Sequence, residues 1–475
     1  MDASCSRRTV LQGVGLGCLM GLSFGQAGCT RDAAPGVGSV RDKGSASAVG
    51  SAESVAGVIA VTELPKGEEL WSETVSNASE LRFASSSCPL IIDDAVYVSG
   101  RGEICAYKLK DGRFIADGTL PDMDYTGART AFAKGLVLIA YGDGSVAAFD
   151  AADLSLVWRQ RYGFVKGVRE TGSGTREDGS TYATSEEFDA DWYATDIIVH
   201  ETAAIVGFSS YSTNPGSYLM CIDLADGSVR WQHEHAGRFC YHDGVSHPCA
   251  TPAGVLAVVP EEPRLQLLDY GDGHVIGEIA TDSLIGMGFS PVPGTEDSYL
   301  TATRDGCLLY LRVSADGVER VASALLPVPD GAERALMPSC AQPVAIGDFV
   351  VCNLPVPSEM RNDGREIPKD GATNGIAVLE LNGFEVRSRL AGLSFEATPV
   401  ILQGRYDTVP HLYYLQSDGL WRMPFENGEF GDPELLNGDV RLGLDTQRGP
   451  FSVDADGMLA LVCGDTDTQR LHVLC

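Results

Sequence analysis

Short runs in which apolar and polar residues alternate fill most of this chain, and Gly, Asp and Asn punctuate them. One phrase returns repeatedly: AYKLKDGRFI at 106–115, AFDAADLSLVW at 148–158, CIDLADGSVRW at 221–231, LLDYGDGHVIG at 267–277 and YLRVSADGVERV at 310–321. VLELNGFEVRS at 378–388 and RMPFENGEF at 422–430 are weaker copies. A period of two with one apolar face predicts strands, and the turn residues between paired runs predict hairpins. A second hairpin precedes the phrase in several units, as in CPLIIDDAVYVSG at 88–100, TAFAKGLVLIAYG at 130–142, PVAIGDFVVCN at 343–353 and PFSVDADGMLALVCG at 450–464. Two hairpins make a four-stranded unit.

The phrase recurs roughly every 42 to 46 residues where nothing is inserted, the period of propeller blades. Seven full units can be counted. The segment 450–475 supplies three more strands, and the orphan run EELWSETV at 68–75 looks like its missing fourth. The expectation is therefore an all-β chain forming an eight-bladed β-propeller of four-stranded antiparallel blades, with seven blades as the alternative. The N-terminal strand would complete the last blade and so remove open sheet edges. Trp71, Trp158 and Trp231 hold one position in the fourth strand, where they can pack between neighbouring sheets.

The pairing of P-x-x-x-D-x-x-V-Y-V with A-x-D-x-x-D-G-x-x-x-W resembles the PQQ-binding-like β-propeller repeat. The resemblance spans about residues 68–475. That family includes quinoprotein alcohol dehydrogenases and the propeller lipoprotein of the outer-membrane barrel-assembly machinery, so it implies the fold and leaves the chemistry open. The family's dehydrogenases set an adjacent Cys-Cys pair against the quinone, with a carboxylate and a calcium ion. No Cys-Cys dipeptide occurs here, and bound PQQ is not expected.

At the N-terminus, SRRTVLQGVGLGCLMGLSFGQAGC joins Arg7 and Arg8 to an uncharged run too short to span a bilayer comfortably. It resembles a twin-arginine export signal over residues 1–28, with Cys29 placed as the lipidated residue of a lipobox. Residues 29–60, rich in Gly, Ala and Ser, read as a flexible tether, and 61–475 as the propeller. The expected location is outside the cytoplasm, lipid-anchored, facing periplasm or cell exterior.

The formal net charge is −30, from 35 basic and 65 acidic residues. A surface of that sign repels phosphate backbones, so nucleic acid is excluded as an expected partner. No G-x-S-x-G elbow, P-loop or H-E-x-x-H pattern occurs. The D-x-D-G fragments lack the remaining ligands of a calcium loop and read as turn chemistry. No catalytic residue is singled out.

The connector WQHEHAGRFCYHDGVSHPC at 231–249 concentrates four of the eight histidines. His233, His235, Cys240, His242, His247 and Cys249 are the candidate ligands for a transition metal. The competing reading is a plain connector or a Cys240–Cys249 disulfide. Cys340 and Cys352, at one end of two antiparallel strands, are a second possible disulfide. His247 falls where other units have Cys88, Ser290, Gln342 or Thr398 before a proline, near a central channel.

Long insertions at 165–194, 209–217 and 355–374 all map to the face that carries strand two–three loops and strand four–one connectors. The expected function is a non-catalytic scaffold, monomeric in its body, that binds a protein partner through this face. The alternatives are an envelope enzyme or redox accessory dependent on quinone or metal, or a carbohydrate or small-ligand receptor using Tyr182, Tyr193 and Tyr211 as platforms.

Overall fold

The computed structural model describes residues 58–475 apart from 78–88, 101, 121–126, 163–165, 176–180, 190–191, 211–215, 236, 238–239, 242–243, 246, 286–287, 329–331, 333, 338–340, 361–365, 370, 373, 396–397, 441–450 and 465–467. The signal, Cys29 and the tether lie outside the described residues. No helix among those described is long and apolar enough to cross a membrane.

The described chain is all β, arranged as a propeller of four-stranded antiparallel sheets. Sheet one is Leu90–Ile92, Ala95–Ser99, Glu103–Lys108 and Phe114–Thr119. Sheet two is Gly127–Ala133, Leu136–Tyr141, Ser145–Asp150 and Leu156–Arg161. Sheet three opens with Tyr193–Ala194 and Ile198–His200, followed by Ala203–Ser209, Ser217–Asp223 and Val229–His235. Sheet four is Cys249–Thr251, Gly254–Val258, Arg264–Leu268 and Val275–Ala280. Sheet five is Ser290–Pro291, Ser298–Ala302, Cys307–Ser314 and Gly317–Leu325. Sheet six is Val344–Ile346, Phe349–Asn353, Gly375–Glu380 and Val386–Ala391. Sheet seven contains Val400–Gly404, His411–Gln416, Gly419–Glu426 and Glu434–Asn437. Sheet eight joins Ser452–Val453, Leu459–Gly464 and Thr468–Leu474 to the N-terminal Glu69–Asn77.

Burial follows from radial stacking. Second strands such as Ala95–Ser99 and Ala203–Ser209 are buried at every position, because a neighbouring sheet covers each face. That is why they read as near-continuous apolar runs. Fourth strands, at the rim, bury only alternate or scattered positions. The core is accordingly divided into clusters between sheets. Tyr97 and Ile104 of sheet one pack with Val137, Ile139 and Phe149 of sheet two. Val96 and Val98 of sheet one pack with Ala460, Val462, Leu471 and Val473 of sheet eight.

Each fourth strand carries a β-bulge against its third strand; the skipped residues include Leu70, Ile115, Val157, Arg230 and Ile276. A bulge at the exposed edge twists it away from edge-to-edge pairing. Immediately after the bulge in three sheets stands a tryptophan that docks on the next sheet. The indole Nε1 groups of Trp71, Trp158 and Trp231 donate to the carbonyls of Leu109, Leu224 and Tyr270 at 2.8, 2.8 and 3.0 Å. Each ring lies on a turn glycine in the left-handed region: Gly112, Gly227 and Gly273, with φ of +68°, +73° and +74°. A Cβ on any of the three would stand 2.7 Å from the indole. In sheets six and seven, Ser388 Oγ and Asn437 Nδ2 make the corresponding bridges, to Gly428 and Gly67 carbonyls.

The N-terminal segment does more than the sequence indicates. Ile59–Val61 runs parallel beside Val400–Gly404, on the edge of that strand opposite His411–Gln416. It straddles the tether boundary set at residues 60 and 61. The chain then crosses to sheet eight, where Thr62 N donates to Ala455 O and Lys66 N to Cys475 O, both at 2.8 Å. Glu69–Asn77 pairs antiparallel with Thr468–Leu474, as expected from the orphan run.

Candidate functional site

Backbone pairing brings the insertions to one face. The segment 166–189 is a two-stranded hairpin, Lys166–Thr175 with Thr181–Asp189, in the connector from sheet two to sheet three. Val356–Met360 and Glu366–Pro368, inserted between the second and third strands of sheet six, pair with each other and with Ala335–Leu336 of the preceding connector. Trp192, just after the hairpin, donates its backbone N–H to Gly142 O at 2.8 Å in the strand two–three turn of sheet two. Connectors and two–three turns therefore share a surface, as the propeller topology requires.

Beneath that face, near the start of the first strands, polar residues bridge one sheet to the next. Ser290 Oγ donates to Gln342 Oε1 at 3.2 Å, Gln342 N to Thr398 Oγ1 at 3.0 Å, and Ile91 N to Ser452 Oγ at 3.1 Å. Gly288 packs so closely that a Cβ there would meet the Gln342 amide at 2.2 Å. These are the repeat positions before or just after the proline that opens each first strand, and they are buried.

Sheets two to four break this pattern of satisfied bridges. Arg129 Nε lies 3.1 Å from Asp196 Oδ1, and Asp196 N donates to His247 Nδ1 at 2.7 Å. Asp196 Oδ2 also lies 3.1 Å from the same Nδ1. A backbone N–H can only donate, so Nδ1 is the acceptor and the carboxylate contact is not an ion pair. The neutral ring then carries its proton on Nε2. Burial, with a contribution from the Arg129 charge, pushes His247 down to about 4, against the pull of Asp196. Its Nε2 is buried and has no hydrogen-bond partner.

Two more donors in this region share that condition. Tyr141 Oη, fully buried, and Trp192 Nε1 have no partner. They are contiguous with the arginine: Tyr141 pairs with Gly127 and Ala140 with Arg129, while Trp192 is bonded to Gly142. Desolvation drives the Tyr141 hydroxyl far above the ordinary phenol range. Alongside, Asp143 takes Arg159 Nη2 at 2.9 Å, and its carbonyl takes Arg161 Nε at 3.1 Å. Sequence reasoning placed His247 at this level but missed Arg129, Tyr141, Asp196 and Trp192. The available signal was Arg129 itself, a charge inside an otherwise uncharged first strand.

The candidate metal residues are distributed otherwise. His233 Nε2 lies 2.7 Å from Gly273 O, in the Trp231 docking contact. His235 stacks with His233 at 6.3 Å between ring centroids, consistent with one side of a strand, and burial lowers its pKa. Cys240 begins the short hairpin Cys240–Tyr241 with Gly244–Val245; its side chain and His242 lie outside the described residues. Cys249 is a buried thiol pushed up to about 12, and so is Cys352. Cys340 lies outside the described residues, so neither disulfide pairing is described. Among the described residues, the trio within ligating reach of one another is Asp269, Asp272 and His274. Its carboxylates already accept backbone N–H groups, Gly271 on Asp269 at 2.7 Å and His274 on Asp272 at 3.0 Å. That is hairpin-turn chemistry. Tyr193 is half-buried against the core between sheets three and four; Tyr211 and the Tyr182 side chain lie outside the described residues.

Fold and repeat define the class: a β-propeller built from PQQ-like repeats. The family model described as outer membrane protein assembly factor BamB matches residues 47–233. Among solved structures, BamB from Moraxella catarrhalis is 13% identical with a TM-score of 0.52, over 86% of this chain and 99% of that one. A europium-containing methanol dehydrogenase is 10% identical with a TM-score of 0.57, over 88% and 96%. The quinohemoprotein alcohol dehydrogenase from Comamonas testosteroni is 12% identical with a TM-score of 0.57, over 88% and 78%. No curated protein matches the chain. At such identities these likenesses carry the fold alone.

Proposed function

We propose that this chain is an exported, lipid-anchored, non-catalytic propeller that acts as a protein-interaction scaffold at the cell envelope. The observation that carries the reading is the looped face. Its insertions form β structure of their own, Lys166–Asp189 and the sheet Ala335–Leu336, Val356–Met360 and Glu366–Pro368, added to a propeller that does not need them for packing. Built-out loops on one face of a rigid scaffold are where recognition concentrates. The family match to an assembly factor of the outer membrane supports a protein partner outside the cytoplasm. The body is read as eight blades closed into a ring. Its support is the cluster joining sheets one and eight and the pairing of Glu69–Asn77 with Thr468–Leu474.

The dehydrogenase neighbours share the fold, and no residue arrangement described here adds a redox centre to that likeness. The test is a chain in which 166–189 and 355–374 are each replaced by a short turn. Expressed in its own cells and crosslinked in native membranes, the shortened protein should lose the crosslinked partners of the full chain while keeping its melting temperature. Retention of the same partners sinks the scaffold reading.

A further inference from the structure

We propose that the looped-face end of sheets two to four is a binding site for a small monocarboxylate, held by the Tyr141 hydroxyl, the Trp192 indole N–H and the His247 Nε2–H, with Arg129 as its charge partner. This goes beyond the scaffold reading and does not depend on it.

Three observations carry the proposal. The first is the concentration of unmet donors. Around the axis, Ser290, Gln342, Thr398 and Ser452 satisfy one another or a neighbouring backbone. Tyr141, Trp192 and His247 do not, and they lie on three consecutive segments linked by the Tyr141–Gly127 register, the Trp192–Gly142 bond and the Arg129–Asp196–His247 line. A buried polar group without a partner is expensive, and three together are an unusual load for a packed interior unless an acceptor completes them.

The second is the chemistry of those groups. An indole N–H can only donate, and the Asp196 backbone fixes His247 as a donor at Nε2. A ligand that meets them must bring acceptors, which is what a carboxylate offers.

The third is charge. Among the described residues the region holds three guanidinium groups, Arg129, Arg159 and Arg161, against two carboxylates, Asp143 and Asp196. That leaves one excess positive charge within a chain of net charge −30. One charge matches a monocarboxylate and not a phosphate dianion, whose second charge would be buried unpaired.

The experiment uses the mature full chain at pH 7, titrated with sodium acetate, sodium benzoate and sodium phosphate against sodium chloride of equal ionic strength. Melting temperature and tryptophan fluorescence are read together. Acetate or benzoate should raise the melting temperature saturably and beyond chloride. Tyr141→Phe deletes one unmet hydroxyl, so it should leave the ligand-free melting temperature unchanged or higher while weakening the carboxylate about tenfold or more. Trp192→Phe should weaken it similarly and abolish the fluorescence change. Should Trp192→Phe fail to fold, Tyr141→Phe still decides. Carboxylates acting no differently from chloride, phosphate acting more strongly than either acid, or undiminished binding by Tyr141→Phe would each overturn the assignment. Because both insertions remain in place, failure here leaves the scaffold reading untouched, and loss of partner capture leaves this one untouched.

Discussion

Replacing Gly227 by alanine should expose how sheets two and three are fastened. Gly227 sits at φ +73°, and its Cβ position is 2.7 Å from the Trp158 ring. Gly135 offers a matched control: its φ is +79°, and nothing lies within 4 Å of its Cβ position. Both substitutions incur the left-handed penalty of about 1–2 kcal/mol. Only Gly227→Ala must also displace the indole, whose Nε1 is bonded to Leu224 O at 2.8 Å. Forcing one carbon into such packing adds about 1–3 kcal/mol. Equilibrium unfolding in urea should therefore place Gly227→Ala below Gly135→Ala by about 1–3 kcal/mol. The excess belongs to one contact, so it should disappear when Trp158→Ala is the background, although that change alone costs about 3–5 kcal/mol. Equal costs for the two glycines, or an excess that survives without Trp158, would refute the docking argument.

Two other outcomes follow from the same geometry. Buried His247 titrates at about 4 when folded, against a model value of 6.5. Between those values the unfolded chain binds the extra proton, so this contribution to stability is complete above pH 6.5 and declines as pH falls toward 4. At 1.36 kcal/mol per unit its full size is roughly 3 kcal/mol. His247→Gln should flatten the dependence of urea stability on pH across that window; an unchanged slope would show that the ring is not buried neutral. Second, a chain starting at residue 78 lacks the outer strand of sheet eight, and it should give little soluble protein and rapid proteolysis. A synthetic peptide of residues 58–77 should restore both. A truncated chain as resistant as the full one would contradict the closed ring.

The legible part of this protein is what its repeat encodes. Turn residues such as Gly112, Gly227 and Gly273 mark left-handed positions that side chains strain to adopt, and Trp71, Trp158 and Trp231 mark the position beside them. The period of two then assigned the four strands of each unit, and the orphan run around Trp71 announced its own pairing with the C-terminal strand. Each of these is a local signal, written within a few residues.

What only the tertiary structure decided is everything that depends on neighbouring sheets. Ile59–Val61, three residues beside a glycine-rich tether, becomes a strand because Val400–Gly404 presents an open edge to it. The paired histidines that drew attention as ligands belong, at His233, to an inter-sheet contact with Gly273. Arg129, Tyr141, Trp192, Asp196 and His247 span more than a hundred positions and share no motif. Radial stacking makes them neighbours, and burial among those sheets sets which of their donors go unmet. A repeat states its strands and turns one unit at a time, whereas a site assembled across three units exists only once the units stand side by side.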